Sequence, residues 1–278
     1  MERKNNGIVT GIRDGRYILL GALFLIFMGF SAVTASAQPT DDQGVPLNTL
    51  SQTEKDAGWV LLWDGKTANG WRGANMDHFP EHGWLMQDGV LTVLESGGAE
   101  SEGGGDIITD KLYSNFDLRL EFKITPGANS GVKYFVFPNQ PQHTGSAIGL
   151  EYQVLDDQRH PDAKMGVGGN RTVSSLYDLI PAEGKHVNPP GEWNSARIVA
   201  RGGHVEHWLN GKKVVEYDRF SQAFRALIQK SKYAHYENFG QIPAGHILLQ
   251  DHGNRVSFRN IKMRVLQAPM TLDSPSTN

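Results

Sequence analysis

Phe116, Leu118, Leu120 and Phe122 alternate with Asp117, Arg119, Glu121 and Lys123. Side chains that change face at every residue belong to an extended strand with one buried and one wet face. The same alternation recurs in WVLLWDG, GWLMQDGVLTVL, SGVKYFVF, IGLEYQVL, WNSARIVARGGHVEHWLNGKKVVEY, GHILLQDHG and VSFRNIKMRVL, with glycine-rich turns between the runs. Short strands at this spacing predict an all-β sandwich or barrel. Asn210-Gly211 and Asp88-Gly89 each join two such runs and predict type I′ hairpins, whose two central residues need positive φ. One stretch departs from the pattern. Within residues 219–239, Phe220, Ala223, Phe224, Leu227 and Ile228 fall at helical spacing, with Ser221 placed to cap. That predicts one short helix of about a dozen residues.

The start of the chain sets the expected compartment. Arg3, Lys4, Arg13 and Arg16 precede the apolar run YILLGALFLIFMGF, and Ala35-Ser36-Ala37 follows it. Basic, apolar and A-x-A segments in that order predict a secretory signal peptide cleaved after Ala37, hence a periplasmic or secreted protein. The apolar run, about 14 residues, is short of the roughly 20 needed to span a bilayer, so no stable membrane insertion is expected after cleavage. Removing residues 1–37 moves the formal charge from −3 to −5. With no basic stripe, this is not a nucleic-acid binder. The chain contains no cysteine, which excludes disulfides, thiolate chemistry and a lipoprotein anchor. Residues 38–57 are polar and aperiodic and read as a flexible leader, residues 267–278 as a disordered tail, and residues 58–266 as one domain.

Candidate chemistry gathers in few places. In GLEYQVLDDQRHPD, Glu151 and Gln153 share one strand face while Tyr152 and Val154 share the other, and Asp156, Asp157 and His160 follow just past the strand end. Laminarinase-type glycosidases place three acids at similar spacing, but here the middle acid is an amide. A retaining glycosidase needs two carboxyls about 5 Å apart, so Gln153 counts against ordinary hydrolysis. The alternative is that Glu151 and Gln153 are simply solvated. In LLQDHGNRV, Asp251 beside His252 suits either the orientation of an imidazole or a cation, and equally a plain turn. Ser130 and Lys133 enter the cleft of Glu151 if their strand pairs with its own, as consecutive strands usually do. Most of the tryptophans should be core. His204 and His207, three apart in a strand, face opposite sides. No H-E-x-x-H, nucleophile elbow or phosphate loop is present.

Taken together, WDGKTANGW, NSGVKYFVF, GLEYQVLDD with its following H-P, the GEWN-to-WLNGK stretch and GHILLQDHGNRVSFRNIK resemble the 3-keto-disaccharide hydrolase domain family, across nearly all of residues 58–266. The resemblance implies a jelly-roll β-sandwich of the concanavalin A-like lectin and glucanase type. It also implies cleavage of the glycosidic bond in sugars already oxidised at C3, with a carbohydrate substrate and an upstream sugar 3-dehydrogenase to supply it.

A C3 ketone acidifies the C2 hydrogen, so one base, a stabiliser of the enolate oxygen and a proton donor suffice. On this reading Glu151 is the base, and Lys133 or His252 polarises the ketone. Gln153 binds a sugar hydroxyl, Asp156 orients a partner or holds a cation, and Gln250, Tyr134 and His160 complete the substrate-binding set. A divalent cation such as Ca²⁺ is the other candidate electrophile. The insert ending in SKYAHYENF is placed to wall the site, with Lys232 or His235 reaching inward. The rival reading is a non-catalytic, lectin-like carbohydrate-binding module, since the sandwich serves both.

Overall fold

The computed structural model describes residues 39–40, 44–137 and 147–269. The signal-peptide segment therefore lies outside the described residues, as do residues 270–278 of the tail. No described helix is long and apolar enough to cross a membrane.

The chain runs through α1 (Gln52–Asp56), β1 (Trp59–Leu61), β2 (Trp71–Gly73), β3 (Trp84–Gln87), β4 (Val90–Val93), β5 (Ile107–Thr109), β6 (Phe116–Ile124), β7 (Asn129–Val136) and β8 (Leu150–Leu155). A 3₁₀ turn (Pro161–Lys164) follows, then β9 (Asn194–Arg201), β10 (His204–Leu209), β11 (Lys212–Asp218), α2 (Gln222–Lys230), β12 (His246–Leu249) and β13 (Val256–Val265). Two antiparallel sheets result. The larger has the order β11-β10-β9-β6-β13-β4-β3, with β1 also on β13; the smaller has the order β2-β5-β12-β7-β8. This is the expected all-β sandwich.

Both predicted hairpins form. Asn210 and Gly211 have φ of 47° and 79°, and Asp88 and Gly89 have 52° and 72°, the left-handed pair that a type I′ turn requires. In β6 the predicted alternation holds except at Asp117, which is fully buried. Arg197 grips that carboxylate in two bonds of 2.7 and 2.9 Å, and Arg264 adds a third at 3.3 Å. The predicted helix is α2, shorter than expected; Ser221 caps it by accepting from the Phe224 N–H, and Phe224 and Ile228 are its buried face.

The core lies between the sheets. Phe116, Leu118, Leu120 and Phe122 of β6 meet Val132 and Tyr134 of β7, Tyr152 and Val154 of β8, and Ile247 and Leu249 of β12. Tyr134 is one of these core residues, which corrects its assignment to substrate binding. Its hydroxyl lies 2.7 Å from His207 Nε2 and 2.8 Å from the Tyr217 hydroxyl. His207 Nδ1 is 2.9 Å from the Ser174 carbonyl, which can only accept, so Nδ1 carries the proton. Burial pushes His207 down to about 4, so the ring is neutral and Nε2 accepts from Tyr134. Tyr134 thus ties the two sheets together and faces away from the cleft.

The leader is a second correction. From Leu47 it packs on the sandwich: Leu47 and Asn48 are buried, and Asn48 exchanges bonds with Asn260 while donating to the Gly89 carbonyl. Ser51 and Glu54 then form a capping box for α1. Asparagine side chains that satisfy backbone groups leave no hydrophobic period to read.

Candidate active site

Antiparallel pairing sets the site out in rows across the outer face of the smaller sheet. Lys133 of β7 stands opposite Glu151 of β8, and Leu248 of β12 opposite Lys133. Beyond β8, Tyr152 bridges to Leu176, and the Tyr177 N–H donates to the Glu151 carbonyl at 3.0 Å. Tyr152 and Leu176 both point into the core. By alternation Glu151 lies on the outer face, and Tyr177, at the margin of the core, is close enough for the Glu151 charge to reach its phenol. The row reads Leu248, Lys133, Glu151, Tyr177. In the next row Gln250, Gly131 and Gln153 lie side by side.

Gly131 is the gap into which Glu151 leans. A Cβ there would overlap Glu151 Oε1 and stand 3.0 Å from its carboxyl carbon. Glu151 is 5% exposed. Burial pushes its carboxyl up to about 6; Lys133 and Lys232 oppose the rise, and Glu100 and Asp106 reinforce it. Lys133 is equally buried; its ammonium donates to the Ala147 carbonyl at 3.2 Å and lies 4.0 Å from Asp106 Oδ2. Asp106 also accepts from the Ala147 and Asp251 N–H groups. A small apolar patch of Ile108, Val136, Ala147 and Leu248 adjoins this corner.

The glycine-rich stretch 97–106 shapes a cleft. Residues 100–106 and 73–76 line a concavity of about 710 Å³, with Glu100 and Asp106 among its walls. Gln250 is buried and donates to Glu100 at 2.8 Å. Asp251 holds this loop in place: its Oδ2 accepts from the Gly104 and Gly105 N–H groups at 2.8 and 3.0 Å, and its Oδ1 from Gly253. The carboxylate is spent on backbone, so it orients no imidazole.

Several other expectations are revised. The His252 ring meets that of His160 edge-on, with centroids 5.8 Å apart, which places it with the loop after β8 rather than with Lys133. His160 accepts the Asp162 N–H and so caps the 3₁₀ turn; burial and the neighbouring His252 lower its pKa. Asp156 is a loop clamp, accepting from the Gly127 and Gln158 N–H groups and the Arg159 guanidinium. Partial burial would raise its pKa, but these bonds prevail and hold it low. Gln153 is 1% exposed with Oε1 committed to the Val154 N–H, which leaves only its NH₂ for a ligand. Ser130 faces away from Lys133's side and donates to the Gln250 carbonyl.

Tyr177, Arg171 and Asp178, none of them expected from the sequence, complete the corner together with Lys232. Tyr177 is buried beside Glu151, and burial followed by its bond to Asp162 raises its phenol well above the usual range. Arg171 bonds Asp162 at 2.9 Å and Asp178 at 2.7 Å. Asp178 in turn accepts the Lys232 N–H at 2.9 Å. The Lys232 ammonium rests 4.4 Å from the Tyr177 ring centroid and 5.2 Å from that of Tyr233. Both insert residues expected to reach inward are exposed; Lys232 lies against the Tyr177 and Tyr233 rings and its charge reaches Glu151. Tyr177 follows an isolated bridge rather than lying in a strand, so no periodicity announces it.

One carboxylate–imidazole group among the described residues has ligand atoms close enough for a metal ion: His204, Glu206 and Glu216 on the β10–β11 hairpin. Lys213 already pairs with both acids, so part of their charge is offset without an ion.

Comparison with known proteins bears on this geometry. Residues 58–264 match the model of the 3-keto-α-glucoside-1,2-lyase-like domain. The chain is 38% identical over 229 residues to the 3-keto-disaccharide hydrolase of Bacteroides thetaiotaomicron, covering 75% of this chain and 79% of that one. A crystal structure of a glycosyl hydrolase candidate from Parabacteroides distasonis superposes with a TM-score of 0.70 at 32% identity, over 80% of this chain and 100% of that one. A second from the same organism gives 0.56 at 29% identity, over 75% and 99%.

Proposed function

Because the chain belongs to the 3-keto-α-glucoside-1,2-lyase-like domain family and is a glycosidic-bond-cleaving enzyme, we propose that it opens 3-keto-glycosides and 3-keto-disaccharides by elimination followed by hydration. Glu151 removes the C2 proton that the C3 ketone has acidified. The enolate collapses, the C1 substituent leaves, and water adds to C1 of the enone. Lys133, fixed beside the base, supplies positive charge to the enolate oxygen. The observation that carries this reading is the buried Glu151 carboxylate, pushed up to about 6, on the outer sheet face opposite Lys133. A base should titrate near the working pH, and the same-face neighbour on its strand is an amide. His252, Gln153 and Gln250, the last already held by Glu100, are assigned to sugar hydroxyls.

A divalent cation such as Ca²⁺ takes the ketone-polarising role from Lys133 if chelation abolishes activity and added metal restores it. The substrate's ketone arises by oxidation of a C3 hydroxyl, so a sugar 3-dehydrogenase is the expected upstream partner. The segment before Gln38 is proposed to export the enzyme to the periplasm or beyond.

The test is incubation in D₂O with a plain disaccharide and its 3-keto counterpart. The expected result is cleavage of the keto sugar alone, with deuterium at C2 of the product. Cleavage without C2 deuterium would mean direct hydrolysis. Retention of intact keto sugar would mean that the protein only binds it.

A further inference from the structure

The elimination above requires a proton donor for the leaving oxygen, and Lys133 is ill suited to that task. It is buried, already donates to Ala147 and leans on Asp106. We propose that Lys232, carried in by the segment after α2, is the catalytic acid that protonates the leaving group. This inference rests on the elimination reading.

Three observations support it. Among the described residues the Lys232 ammonium has no hydrogen-bond acceptor and no carboxylate partner, whereas its side chain is exposed to an incoming ligand. Its position is nevertheless defined. The ammonium sits over the Tyr177 ring and beside that of Tyr233, attracted by the negative ring faces. Tyr233 itself stacks on Phe239 at 4.0 Å, and the Lys232 backbone is fastened to Asp178, which Arg171 holds. Finally, Tyr177 is the next residue after Glu151 in the cross-sheet row, so the donor and the base flank one position. The field of Lys232 reaching Glu151 agrees with that placement.

The step balances without an oxidant or reductant. Glu151 takes the C2 proton. The enolate pair re-forms the C3 carbonyl as the C1–C2 double bond forms and the C1–O bond breaks. The departing oxygen takes its proton from the Lys232 ammonium, leaving an amine. On hydration, water gives its hydroxyl to C1 and a proton to that amine, and Glu151 returns its own proton to C2. One water is consumed and both residues are reset.

A leaving group that needs no proton tests the assignment. Wild type, Lys232→Met, Lys232→Arg and Glu151→Gln are compared on a 3-keto-disaccharide and on 4-nitrophenyl 3-keto-glucoside. Lys232→Met should lose about 10²–10⁴-fold in kcat/KM on the disaccharide but stay within about tenfold of wild type on the nitrophenyl substrate. Lys232→Arg keeps the charge but is a poor acid, and should follow Lys232→Met. Glu151→Gln should fail on both. Equal losses of Lys232→Met on both substrates, or no loss on the disaccharide, would overturn the role of Lys232 and leave that of Glu151 standing. An active Glu151→Gln enzyme would instead remove the elimination reading itself.

Discussion

Glu151→Gln should make the protein more stable at neutral pH while it abolishes turnover. The carboxyl titrates near 6 in the folded protein against 4.5 as its ordinary value, chiefly because it is buried. Below about pH 4 the group is protonated in both folded and unfolded chains and affects neither. As pH rises through 4.5 the unfolded chain gives up this proton first. The folded state then holds the extra proton, so stability falls with pH until about 6 and is flat above. The rise from 4.5 to about 6 corresponds to about 2 kcal/mol of destabilisation at pH 7 and above. The substituted amide resembles the protonated acid in size and is uncharged, so the variant escapes this penalty. At about 2–4 °C per kcal/mol for a domain of this size, its Tm should exceed that of wild type by about 4–8 °C at pH 7.5. The two should nearly coincide at pH 4. Thermal melts at half-unit pH intervals measure the difference directly. A variant no more stable than wild type at pH 7.5, or a gap that does not change with pH, would refute the claim that Glu151 is held ionised at a cost.

The acid limb of kcat/KM should fall away below about pH 6 as Glu151 takes up its proton, and Lys133→Met should move that limb to higher pH by removing an opposing charge; pH–rate profiles on the keto substrate decide both. Gly131→Ala should push the Glu151 carboxylate out of place, costing about 100-fold in activity for about 1–3 kcal/mol of stability; Gly131 lies outside the positive-φ glycines, so kinetics alongside urea melts isolate the displacement. Asp251→Asn leaves one acceptor for the three N–H groups now bound and should cost about 1–3 kcal/mol, with faster amide exchange at residues 101–105.

Much of this was open to reading from residue types alone. Asn-Gly and Asp-Gly demand a left-handed turn wherever two strands must meet, and alternation in Phe116–Lys123 admits one face only. The pairing of Lys133 with Glu151 follows from the tendency of consecutive strands to associate. The core position of Tyr134 is legible too. It is the immediate neighbour of Lys133 in one strand, and two adjacent strand residues cannot share a face. Asp156 and Asp251 show a different limit. An acid just past a strand end is as suited to gathering loose N–H groups as to chemistry, and only coordinates reveal which N–H groups are in reach. Tyr177 and Lys232 lie in segments with no period at all. Their approach to Glu151 depends on one bridge, Tyr152 to Leu176, and on the Asp162–Arg171–Asp178 chain of charges, neither of which leaves a repeat in the sequence.

The division between the sheet and the loops has a mechanistic logic. Glu151 and Lys133 are opposite residues of paired strands, so each fixes the other and neither can move far without breaking register. That rigidity suits a base, which must meet a C–H bond at a defined angle and remain desolvated until it does. A proton donor has the opposite requirement, because leaving groups differ in size and position from one keto-glycoside to another. Lys232 hangs from a loop, held by ring faces that constrain direction weakly, and can follow the leaving oxygen. A fold that put the acid on β8 as well, at position 153, would have fixed both groups to one spacing and one leaving group. An amide at that position, with the lysine supplied from outside the sheet, is consistent with a site built for one sugar ring and varied aglycones.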